Sequence, residues 1–271
     1  MIPRAYITEW RAAAPWLDDA QVEQDLVLSR AVVELFNAPA LGGKLALRGG
    51  TALNKLFLPE PVRYSEDIDL VQIEPAPIGP ILDAVRATLD PWLGEPRRTV
   101  KQMATLAYRF ESEVPPIRTL RLKVEINTHE HFTELGYQNR QLSVRSRWFT
   151  GVADILTYSI DELMGTKLRA LYQRRKGRDL FDLWLCLDRG LVDSAAVIRC
   201  FHRYMAAEKH AVSRAQFEEN LHGKARDEVF SSDIAPLLTA SVEYDPAVAM
   251  QRVGAALIER LAGEPWRGTS E

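Results

Sequence analysis

A chain of 271 residues with 46% hydrophobic side chains, 26% charged side chains and a formal net charge of −3 has the profile of an ordinary folded protein. It is long enough for one large domain or two modest ones. The charge balance excludes a globally basic nucleic-acid binder, so any such contact must come from a local patch.

In chain order, residues 18–36 read as a long helix with a broad apolar face built on Leu26, Leu28, Val32, Val33 and Leu35. Residues 45–47 form a short strand that feeds a Gly-Gly-Thr turn, and a helix follows over 52–57. Pro59 and Pro61 end that helix, and the stretch around 67–71 reads as a strand. Residues 75–92 are helical, and 101–110 form a strand. Over 120–127 apolar Leu120, Leu122, Val124 and Ile126 alternate strictly with polar Arg121, Lys123, Glu125 and Asn127, the pattern of a half-buried strand. A short strand over 153–158 closes the β-rich part. From Asp161 onward the pattern is helical, over 161–172, 178–187, 194–205 and 247–261, with Ser159 or Asp161 as the first cap. The expected architecture is a mixed β-sheet with flanking helices, an α/β (α+β) core over 1–155, followed by a helical bundle over 156–271 that completes a cleft.

The start, MIPRAYITEWR, lacks the apolar stretch of a signal peptide, and no run of 18 apolar residues suggests a membrane span. Cys186 and Cys200 lie in apolar helical contexts with no Cys-x-x-Cys spacing, which predicts buried free thiols. These features fit a cytoplasmic protein with no membrane partner.

The stretch 47–71, LRGGTALNKLFLPEPVRYSEDIDLV, carries the chemistry. Asp67 and Asp69 are two apart on a strand, so their carboxylates point to one face with Cα atoms roughly 7 Å apart. Like charges that close resist ionising without a countercharge, and a hard divalent cation such as magnesium suits all-oxygen ligation. Gly49 and Gly50 let backbone N–H groups approach a phosphate, while Thr51 is placed to cap the following helix, whose start attracts anions. A phosphate cradle beside a metal-binding carboxylate pair reads as a nucleoside triphosphate site. Ser65 is two residues before Asp67, so on a strand it faces the same side as both aspartates, either binding a phosphate oxygen or standing by; phosphorylated, it would add about −1.5 to −2 charges beside the metal site.

These residues resemble the first motif of the nucleotidyltransferase fold, and more narrowly the AbiEii/AbiGii-type toxin nucleotidyltransferases of bacterial toxin–antitoxin systems. The match runs through Gly49, Gly50, Thr51, Ala52, Leu53, Lys55, Arg63, Ser65, Asp67 and Asp69, and the upstream QVEQDLVLSRAVVELF is similar to the family's leading helix. The resemblance spans roughly 10–187 and is most specific over the first motif.

The resemblance implies further roles. Glu125 would be a third acid from a neighbouring strand, holding a second metal ion or taking the proton from the attacking hydroxyl. Lys167 would contact the triphosphate, and Asp179 or Asp182 would orient Lys167 or Arg178 or contact the base or ribose. The basic run of Lys167, Arg169, Arg174, Arg175, Lys176 and Arg178 has no acid before Asp179, and with Lys55 and Arg63 it would receive an RNA acceptor. The implied activity is magnesium-dependent transfer of a nucleotide from a nucleoside triphosphate to an acceptor, foremost the 3′ end of tRNA. The implied partner is a cognate antitoxin protein. A small-molecule or protein acceptor is the alternative within the fold. A non-catalytic nucleotide-binding module is the alternative outside enzymology.

Overall fold

The structure, a computed structural model, describes residues 2–268. It divides into two units: the first is formed up to Thr133 with Tyr137–Tyr158 and Thr239–Ser241, the second by Glu134–Gly136, Ser159–Leu238 and Val242 onward.

The first unit opens with helices α1 (Arg4–Trp10) and α2 (Asp19–Asn37). Asp18 caps α2, its carboxylate accepting from the Ala20 N–H at 2.9 Å. The chain continues through β1 (Leu45–Arg48), the one-turn helix α3 (Gly49–Ala52), a π-helical turn (Leu53–Phe57), β2 (Asp67–Gln72), α4 (Gly79–Leu93), β3 (Arg97–Val100), β4 (Met103–Glu111), β5 (Thr119–Asn127), β6 (Tyr137–Arg145) and β7 (Thr150–Tyr158). The seven strands form one mixed sheet in the order β3-β4-β5-β2-β1-β7-β6. β2 lies at its centre, parallel to β5 and antiparallel to β1.

Alternation sets the faces of the central strands. Ile68, Leu70, Val124 and Ile126 are at most 1% exposed, while Asp67, Asp69, Lys123 and Glu125 between them remain partly exposed on the other face. α2 is anchored by more than its apolar stripe: Gln24 Nε2 donates to the Arg121 carbonyl of β5 at 2.9 Å.

Two strands depart from the sequence reading. The strand expected over 101–110 is β4, but β3, which forms a hairpin with it, and β6 were not expected. β3 and β6 are the two edges of the sheet. Edge strands face solvent and carry polar residues, so RRTV and YQNRQLSVR lack the apolar alternation that betrays an inner strand.

The second unit is helical: α5 (Ile160–Gln173), α6 (Gly177–Asp188), α7 (Ser194–Ala207), α8 (Arg214–Ala225), α9 (Glu228–Ser232) and α10 (Pro246–Ala256). Ser159 caps α5 by accepting from the Glu162 N–H at 3.2 Å. α8 starts with a capping box between Ser213 and Gln216. Leu168, Phe181, Phe201, Phe217 and Val253, all 0% exposed, form its core. α5 and α7 approach closely at Gly165, where a Cβ would lie 3.1 Å from the Val197 carbonyl oxygen and the Phe201 nitrogen. Cys186 and Cys200 are buried free thiols. Among the described residues, no helix is long and apolar enough to cross a membrane.

Candidate active site

The site in the first unit is built where β1 ends beside β2. Arg48 is opposite Asp69 in the antiparallel register, and the chain then turns at Gly49 with φ +75°. Two constraints require glycine there. The positive φ disfavours a side chain, and a Cβ would fall on the Asp69 carboxylate, 2.9 Å from its Cγ. At Gly50 a Cβ would lie 2.5 Å from Arg63 Nη2 and 2.9 Å from Ser65 Oγ. The glycine pair therefore makes room for an acid on one side and for an arginine and a serine on the other.

Thr51 was expected to cap the helix and face a nucleotide. It lies inside α3, fully buried; its hydroxyl donates to the Asp67 carbonyl at 2.6 Å and accepts from the Ser65 hydroxyl at 3.0 Å. It ties the glycine turn to the start of β2 and so helps to hold the aspartates in place. Ser65 lies ahead of β2 rather than on it, half-buried against Thr51, so the strand argument for its side-chain direction does not apply.

The parallel register of β2 and β5 pairs Asp67 with Lys123 and Asp69 with Glu125, so three carboxylates and one ammonium share a face. The Asp67 carboxyl is pushed up to about 6, first by burial and then by the negative charge of Asp69. Its Oδ1 is buried with no hydrogen-bond partner. A half-buried acid with an orphaned oxygen beside a second acid is a hard-oxygen donor set suited to a divalent cation. Glu125, expected as a third ligand, shares the face of Asp67 and Asp69 and carries an ion pair of its own. Glu125 Oε1 pairs with Lys123 Nζ at 2.8 Å, and no three His, Cys, Asp or Glu side chains among the described residues are gathered closely enough to hold a metal ion.

Arg48, which the sequence reading passed over, belongs to this site. Burial opposes its charge, but Glu130, Tyr158 and Asp69 more than offset that and raise its pKa above the ordinary arginine value. Its guanidinium is ion-paired to Glu130. The sequence carried a signal: Arg48 is the one charged residue of β1, after three apolar ones, and directly precedes the glycines.

Lys55 and Arg63, expected to meet an acceptor, turn inward. Lys55 Nζ sits 2.8 Å from both carboxylate oxygens of buried Asp25. Arg63 is 2% exposed and donates to the Tyr64 carbonyl at 3.0 Å. Both line a cavity of about 270 Å³ together with Trp16, Asp25, Thr51 and Ser65. A guanidinium this enclosed has no surface to offer an RNA backbone.

The second unit holds its own charged cluster. Lys167 Nζ bridges Asp179 Oδ1 at 3.1 Å and Asp182 Oδ2 at 2.9 Å, and both aspartates are fully buried. Arg174 grips Asp179 through two hydrogen bonds of 2.7 and 2.9 Å. Burial pushes the Asp179 carboxyl up, but the charges and hydrogen bonds of Lys167 and Arg174 outweigh it and hold the carboxyl well below the ordinary range. Folding brings acids from elsewhere in the chain to part of the basic run. Arg169 is 8% exposed, with Glu208 at 2.9 Å and its guanidinium 5.0 Å from the Tyr204 ring centre, and Arg175 faces Asp227 at 3.5 Å. Arg174, Arg175 and Lys176 remain exposed on the turn between α5 and α6, while Arg178 is half-buried.

The family model for the nucleotidyl transferase AbiEii toxin of type IV toxin–antitoxin systems matches residues 30–252. Among solved structures the chain is similar to MenT4, a nucleotidyltransferase toxin from Mycobacterium tuberculosis H37Rv, with a TM-score of 0.66 and 16% identity over 97% of this chain and 91% of that one. It is also similar to JHP933 from Helicobacter pylori, with a TM-score of 0.51 and 17% identity over 89% of this chain and 91% of that one. At such identities the structural likeness speaks for the fold, a mixed sheet with flanking helices. No curated protein sequence matches. The family match covers most of the chain, and it makes the protein an enzyme: it belongs to the AbiEii nucleotidyltransferase toxins of type IV toxin–antitoxin systems.

Proposed function

We propose that this chain transfers a nucleotide from a nucleoside triphosphate to the 3′-terminal hydroxyl of tRNA, with magnesium held by Asp67 and Asp69, and so blocks translation. The observation that carries the reading is the partnerless, buried Oδ1 of Asp67 beside Asp69 on one strand face, next to a glycine turn that leaves room for the Asp69 carboxylate.

When bound, the divalent ion would supply positive charge for the phosphate oxygens as charge develops on them. This chain's residues do the rest. The Asp67–Asp69 pair fixes where that charge sits. Glu125, ion-paired with Lys123, accepts the proton of the attacking hydroxyl. The hydroxyl oxygen bonds to the α-phosphorus, the bond to the leaving pyrophosphate breaks, and the hydroxyl proton goes to Glu125. The Gly49–Gly50 backbone N–H groups receive phosphate oxygens, and Arg48, next to Asp69 in register, limits the repulsion between carboxylates and phosphates. In the helical unit Lys167, oriented by Asp179 and Asp182, is assigned to the triphosphate, with Arg178 as a second nucleotide contact. The exposed Arg174, Arg175 and Lys176 are assigned to the RNA backbone, where contacts position but do not specify. The family supports a cognate antitoxin as partner, and the reading places the chain in the cytoplasm.

The test is incubation of the purified chain with total RNA, an aminoglycoside and a protein extract, each with every α-labelled triphosphate in magnesium. The reading predicts label on tRNA. Label on the small molecule or on protein moves the acceptor but keeps the chemistry, and no label anywhere removes the activity assignment.

A further inference from the structure

The carboxylate face holds a cation of its own. Lys123 pairs with Asp67 in the β2–β5 register, two residues before Glu125 on the same face, and its Nζ lies 2.8 Å from Glu125 Oε1. Its side chain is 27% exposed and that of Glu125 19%, so solvent screens the pair only in part. Three carboxylates and one ammonium leave two negative charges on this face, the charge of one divalent ion. A second divalent ion at Glu125 would have to displace the lysine or sit beside a fixed positive charge, and close like charges repel strongly in a partly desolvated site.

We propose that Lys123 takes the place of a second metal ion, so that the site binds a single divalent cation at Asp67 and Asp69 and leaves Glu125, ion-paired to Lys123, to act as the base. The inference rests on the metal role assigned to Asp67 and Asp69.

The full chain is titrated with Mn²⁺ alone, and bound ions are counted from the loss of the free-ion paramagnetic resonance signal. Asp67→Asn, Lys123→Met and Lys123→Arg are compared, and thermal unfolding checks that each variant is folded. The proposal expects one ion in the wild type, one in Lys123→Arg, two in Lys123→Met and none in Asp67→Asn. Two ions in the wild type would overturn it while leaving Asp67 and Asp69 as ligands. One ion in Lys123→Met would overturn it too, because the lysine would then exclude nothing. No Mn²⁺ bound to the wild type, or one ion retained in Asp67→Asn, would instead defeat the metal assignment itself. Should Lys123→Met fail to fold, Lys123→Gln is counted in its place, with the same two outcomes.

Discussion

The Asp69 carboxylate occupies the space that a side chain at Gly49 would need. One glycine therefore serves both the left-handed turn and the position of an acid, which gives a paired test. Gly43 has a similar positive φ, +67°, but nothing within 4 Å of its would-be Cβ. Each Gly→Ala change should cost about 1–2 kcal/mol in backbone strain. Only Gly49→Ala should also displace Asp69 and lower nucleotide transfer by ~100-fold or more. Thermal unfolding and transfer assays run side by side check this. Equal loss of transfer in both variants would mean that strain alone matters and that the approach to Asp69 is incidental.

Asp67 illustrates a conflict between stability and function. Its buried, partnerless oxygen lies beside three like-charged neighbours, Asp69, Glu66 and Glu125. Asp67→Asn removes that repulsion, so in the absence of metal its Tm should rise by ~2–4 °C, the shift that about 1 kcal/mol gives in a chain of this size. Transfer should be lost. A Tm that falls would show that the carboxylate is held by partners rather than strained.

Much of this was legible in the sequence. The Asp-x-Asp strand, the glycine turn and the alternating strand of Glu125 could be placed because each depends on local spacing. What escaped notice depends on partners far along the chain. Lys55 read as a surface cation because Asp25 is 30 residues away, and the acids that neutralise Arg169 and Arg175 come from Glu208 and Asp227. Thr51 read as a cap because the rule for caps is local, whereas its acceptor, the Asp67 carbonyl, is set by the sheet. The short helices α1, α8 and α9 escaped for a different reason: α8, RAQFEENLHGKA, buries only Phe217, Leu221 and Lys224, too few for a visible apolar stripe.

Glu23 on α2 sets a pH dependence unrelated to catalysis. It is fully buried, its Oε2 accepts from the Glu113 N–H at 2.9 Å, and burial pushes its carboxyl up to about 7. Because its pKa is raised on folding, the native state holds the proton more tightly than the unfolded chain does. Stability linked to Glu23 is therefore complete below the ordinary value of 4.5 and is lost as pH rises towards about 7. Thermal unfolding of the wild type minus that of Glu23→Gln, across pH 4 to 8, should show the wild type losing ground over that window. A flat difference would contradict the assignment.

The Lys167 cluster predicts the opposite slope. Asp179 is held below the ordinary carboxylate value of 3.8, so its contribution is present above that value and is lost as pH falls towards its lowered pKa. Lys167→Met removes the ammonium that Asp179 and Asp182 share and should destabilise the protein by about 3 kcal/mol, the usual cost of breaking a buried pair from one side. It should also flatten the acid limb of the stability profile. A Lys167→Met variant that lost transfer yet kept wild-type Tm would place the lysine in catalysis alone.

The central claim is tested most directly by label transfer from an α-labelled nucleoside triphosphate to tRNA in magnesium, comparing the wild type with folded Asp67→Ala. The account predicts labelled tRNA and released pyrophosphate from the wild type and neither from the variant. Transfer retained by Asp67→Ala at the wild-type rate would contradict it.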